Sequence, residues 1–102
     1  MTDNQVTNAI RDLVLRAISD DYESFEWVVG DVLGSAVELG MSADANAVLS
    51  ALKNLINDGY AQAYLLSAHP GTNAEPVAFA ENLLDDLWFY VTPSGKALIR
   101  SH

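Results

Sequence analysis

Cysteine is absent from the 102 residues, so neither a disulfide framework nor thiolate chemistry is open to this chain. Positive charge is scarce: five Lys and Arg stand against fourteen Asp and Glu, a formal net charge of −9. Lys53 is the only basic residue between Arg16 and Lys96. Such a balance repels nucleic acid and anionic membranes and keeps a protein in solution. No stretch approaches the roughly 18 unbroken apolar residues of a membrane-spanning helix. The opening MTDNQVTNAI also lacks a basic region followed by an apolar run. A soluble, cytoplasmic protein without a membrane partner is the expectation.

Catalytic signatures are missing too. There is no Gly-x-Ser-x-Gly elbow, phosphate loop or zinc motif. His69 lies in a Pro-Gly loop and His102 is the last residue, neither with a nucleophile at a useful spacing. Asp20, Asp21, Glu23 and Glu26 cluster, but without the alternating oxygen ligands of a calcium loop. They read instead as negative charge favoured at a helix N-terminus. The chain is expected to be no enzyme and to hold no cofactor or metal.

Half of the residues are hydrophobic, and their spacing is periodic. Val6, Ile10, Leu13, Val14, Ala17 and Ile18 recur at three- and four-residue steps, one face of a first helix. Asp3 or Asn4 is placed to cap it, and Ser19-Asp20-Asp21 ends it. Phe25, Val28, Val29, Val32, Leu33, Ala36 and Leu39 mark a second helix, with Ser24 as N-cap and Gly40 at its C-terminal stop. A third opens at Ser42 and buries Ala45, Val48, Leu49, Leu52, Leu55 and Ile56. Its other side carries Asn46, Ala47, Ser50, Lys53, Asn54 and Asn57.

Asp58-Gly59 turns the chain into a strand from Tyr60 to Leu66. Residues 67–86 then read as an insert, with a turn-rich loop at HPGTNAEP, an extended Val77–Phe79 and a helical turn at Ala80–Asp86. Phe79, Leu83, Leu84 and Leu87 are expected to pin it to the body. Leu87–Val91 is a second strand, and Thr92-Pro93 opens a last helix whose Ala97, Leu98 and Ile99 close the core.

This order of elements resembles a winged helix-turn-helix domain. LGMSADANAVLSALKNLINDGYAQAY is similar to the turn, recognition helix and first wing strand of bacterial regulators of that superfamily. FYVTPSGKALI is similar to their second wing strand and following helix. The resemblance implies one α+β winged-helix domain over residues 1–102. It would comprise a three-helix bundle, a two-stranded β wing interrupted by the 67–86 insert, and a short C-terminal helix. In DNA-binding members the third helix enters the major groove, so Asn46, Ser50, Lys53, Asn54 and Asn57 would read bases here. Asparagine suits adenine edges. The phosphate grip is what is lacking, because no Arg or Lys occurs from Asn54 to Gly95. Protein–DNA modules commonly neutralise about 6–10 phosphates. The leading expectation is therefore a regulatory or protein-interaction module, acting as a homodimer or on a protein partner. A sequence-specific DNA-binding regulator is the alternative.

Two groups of residues stand out as candidate contact sites. Gly30 and Gly34 fall on one face of the second helix with Trp27 and Asp31, and each glycine costs about 1 kcal/mol relative to alanine. Either the first helix packs there through Ala9 and Ala17, or the helix breaks near Gly34-Ser35, or the face is a dimer seam or partner groove anchored by Trp27. Trp88, Tyr90, Tyr60 and Tyr64 can align on one side of the strand pair. They either cover the core or, exposed beside Phe79, form an aromatic patch rimmed by Glu81, Asp85 and Asp86 that suits a basic surface.

Overall fold

Ile10, Val14 and Leu15 turn one side of the first helix, α1 (Asp3–Ala17), into a core that they share with Val28, Val32 and Ala36 of α2 (Phe25–Glu38). The computed structural model describes residues 3–65 and 74–101, with the backbone alone at 3 and 4. Between these helices lies β1 (Glu23–Ser24), and after them α3 (Ala45–Asn57), β2 (Ala61–Leu65) and β3 (Glu75–Val77). A 3-10 segment (Glu81–Asp86), β4 (Trp88–Val91) and α4 (Pro93–Arg100) complete the order. The architecture is α+β, with helices on an antiparallel four-stranded sheet ordered β1-β4-β2-β3.

Side-chain caps define the helix starts. Ser24 Oγ accepts from the Trp27 N–H at the start of α2. Asp44, not Ser42, caps α3, its carboxylate accepting from the Ala47 N–H at 2.9 Å. Asp44 is three residues ahead of a free helical N–H, the spacing a cap needs. Asp3 and Asn4 fall in the first turn of α1. Gly40 and Gly59, at φ 74° and 84°, release the chain from α2 and α3.

The strands sort their side chains by face. Ala61 and Ala63 of β2 point into the core opposite Val91 and Phe89 of β4, so small residues on one strand leave room for large ones on the next. Gln62, Tyr64, Trp88 and Tyr90 line the other side. The described residues of the insert include a strand that lies two positions ahead of the extended Val77–Phe79 expected. Its Glu75–Val77 adds β3 to the free edge of β2, pairing Val77 with Ala63. Pro76 is tolerated because β3 is the outermost strand, where a missing N–H breaks no further ladder. Ser24, opposite Trp88, extends the sheet on the other side.

Leu87 is fully buried, and Phe79 and Leu84 pack against the core, whereas Leu83 stays 41% exposed. In α4 the close approach comes from Gly95 rather than Ala97, which is exposed; Leu98 and Ile99 are partly buried against the core. Residues 66–73, which include Leu66 at the expected strand end, His69 and most of the expected loop, lie outside the described residues, as does His102.

Candidate functional site

Three surfaces carry the chemistry. The first is the outer side of α3. Because Val48, Ala51, Leu52 and Leu55 take the buried side, Asn46, Ser50, Lys53, Asn54 and Asn57 are all exposed. The single cation among them is engaged: Lys53 Nζ donates to Glu81 Oε1 at 2.5 Å. Phe79 comes alongside and, with Lys53, Asn54, Ile56 and Asn57, lines a groove of about 370 Å³. The insert thus sits beside the C-terminal half of the face a DNA reader would present.

The other cations are drawn in similarly. Arg11 pairs with Asp58 and Arg16 with Asp12, both at 2.9 Å, and Lys96 lies 5.2 Å from the centre of the Tyr90 ring. Each of the three ion pairs is partly exposed and stabilises little by itself. Their consequence is electrostatic: most of the chain's five cations already face an internal anion or ring.

The second surface is the outer side of α2. The helix runs unbroken through Gly34-Ser35, and a Cβ built on Gly30 or Gly34 would meet nothing within 4 Å. Neither a helix break nor packing by α1 accounts for these glycines. Their space is open. Trp27 is 47% exposed and Val37 75% exposed on the same helical face. Ser24, Glu26, Trp27, Gly30 and Asp31 line a groove of about 460 Å³ there. Acids crowd this end: Glu23 is pushed above its usual 4.5, first by partial burial and then by Asp21, Asp31 and Asp20.

The third surface is the outer side of the sheet. Tyr64 and Trp88 are directly opposed, and Tyr90 stands opposite Gln62. Tyr22, just before β1, completes the cluster with ring centroids 5.0 Å from both Tyr64 and Tyr90. Burial, then Tyr22 and Tyr90, raises the Tyr64 hydroxyl pKa above 10.0. Nothing in the residue pattern marks Tyr22, because β1 is too short to show alternation. Phe79 does not join this cluster. Its ring lies 6.4 Å from that of Phe89, whose side chain points into the core, so the sheet separates it from Trp88 and Tyr90. The acid-rimmed patch combining all three is therefore not assembled. Tyr60 also stands apart, half-buried beside α4.

Among the described residues, no group of three or more His, Cys, Asp or Glu side chains is arranged to hold a metal ion. No described helix is long and apolar enough to cross a membrane. Comparison with protein-family models, curated proteins and solved structures yields no match.

Proposed function

We propose that this chain is a non-enzymatic, cytoplasmic winged-helix module that regulates by binding protein rather than by gripping a phosphate backbone. The winged-helix reading is supported by a helix, α3, that leads through a glycine turn into the antiparallel pair β2 and β4, followed by the capped helix α4.

One observation carries the functional part. Lys53, the only cation on the outer side of α3, is paired with Glu81, while the Trp27 face of α2 is open. A phosphate approaching α3 would have to displace a carboxylate and enter the field of a chain with net charge −9. A partner surface approaching the Trp27 face of α2 has no ion pair to break among the described residues. The partner is another protein or a second copy of this chain.

The alternative is a sequence-specific DNA reader using Asn46, Ser50, Lys53, Asn54 and Asn57, and the exposure of all five favours it. Titration of the full chain into fluorescent duplexes from a randomised pool, at rising salt, separates the two. The protein-contact reading expects no enrichment of any sequence. Enriched duplexes whose affinity falls steeply with salt would replace it with the DNA reading.

A further inference from the structure

The open face of α2 has a shape and a charge that together specify an occupant. Trp27, Gly30, Gly34 and Val37 succeed one another along one stripe, away from the buried Val28, Val32 and Ala36. The indole and the valine stand at either end, and the glycines between them leave the backbone bare. A helix laid along this stripe can approach closer than the usual 8–10 Å between axes, since no side chain intervenes at the middle.

Charge decides which helix. Glu26, Asp31 and Glu38 belong to α2, and the helix carries neither Lys nor Arg. Glu26 and Asp31 line the same groove as Trp27 and Gly30. A second copy would bring these carboxylates against their own equivalents, because a two-fold contact repeats one patch on both sides. It would also join two bodies of net charge −9. A cation meets the opposite situation. Over Gly30 an aliphatic stem has room, the indole face attracts a guanidinium, and the carboxylates accept its N–H groups.

We propose that the Trp27–Gly30–Gly34–Val37 face of α2 docks an arginine-bearing amphipathic helix of a different protein, with one arginine seated over Gly30 between Trp27 and the carboxylates of Glu26 and Asp31. This rests on the protein-contact reading above and adds to it the surface, the partner's form and its charge.

The test uses the full chain and two synthetic 20-residue amphipathic helices. One has a Leu/Ala face flanked by arginines; in the other every arginine is replaced by glutamate. Amide shifts of the labelled protein report the site, and peptide titration at physiological salt reports affinity. The arginine peptide is expected to bind and to move the amides of residues 26–37, and the glutamate peptide is not. Gly34→Leu fills open space, so the variant folds, and it should weaken binding by about tenfold or more, as the loss of close packing implies. Glu26→Gln with Asp31→Asn should weaken it by about 3- to 30-fold.

Absence of binding, equal binding of both peptides, or indifference to Gly34→Leu overturns the proposal. So does concentration-dependent dimerisation that shifts the Trp27 amide, which makes a second copy the occupant and leaves the protein-contact reading standing. That reading falls separately, through duplex enrichment in the oligonucleotide experiment.

Discussion

Lys53 on α3 and Glu81 on the 3-10 segment, 28 residues apart in sequence, are joined by a direct ion pair. The pair ties the insert to the helix a DNA reader would need to keep free. Both side chains remain about half exposed, so Glu81→Gln should change stability by less than about 1 kcal/mol. It frees Lys53 but leaves a strongly acidic chain. We expect duplex binding by this variant to stay weaker than the roughly 10⁻⁴–10⁻⁶ M typical of non-specific DNA binders, as anisotropy titration would measure. Binding tighter than that would count for the DNA alternative.

Glycines at two places should respond in opposite directions. A Cβ at Gly95 would collide with the Tyr60 carbonyl oxygen and a Val91 methyl. Gly95→Ala should therefore destabilise the fold by about 1–3 kcal/mol. Gly30→Ala and Gly34→Ala enter open space inside a helix, and each should stabilise it by about 0.5–1 kcal/mol. Urea unfolding of the three variants measures the contrast. A destabilised Gly34→Ala would mean that something covers α2.

Thr92 joins three elements. Its hydroxyl donates to the Gly59 carbonyl at 2.7 Å and accepts from the Gly95 N–H at 3.1 Å, capping α4 while holding the turn after α3. Thr92→Val keeps the shape and loses both bonds, at a cost of about 1–3 kcal/mol. Thr92→Ser should recover most of that loss. Thermal melts of the pair test the assignment.

Glu23 makes stability depend on pH in an unusual direction for an acid. Its pKa is raised by burial and by Asp21, Asp31 and Asp20, so the folded chain holds the proton more tightly than the unfolded one. The stability gained from protonation is fully present below the ordinary value of 4.5 and is lost as pH rises through the raised folded value. Glu23→Gln should be more stable than the parent at neutral pH, and the difference should shrink on acidification. Salt should narrow the gap at neutral pH by screening the neighbouring acids. Denaturant midpoints across pH 3.5–7 check both statements, and a gap that widened in acid would refute the cause given.

The helices and their ends were legible from residues alone where the signal is local. Ser24 as a cap, Gly40 and Gly59 as stops and Thr92-Pro93 as an opening each act on N–H or C=O groups a few positions away. The expected start at Ser42 shows the limit of such reading, since α3 begins at Ala45 and it is Asp44 whose carboxylate accepts from the Ala47 N–H. The strand faces were equally readable, because alternation sets Trp88 and Tyr90 against Phe89 and Val91 whatever the neighbours are.

Long-range relations were not readable in this way. Tyr22 reaches Tyr64 and Tyr90, and Glu81 reaches Lys53, only because the sheet order and the path of the insert bring distant segments together. The separation of Phe79 from Trp88 and Tyr90, and the empty space over Gly30 and Gly34, have the same origin. Periodicity says which side of an element is apolar. What meets that side, and what is left on the other, depends on how the elements pack, and on α2 packing has left Trp27 half exposed.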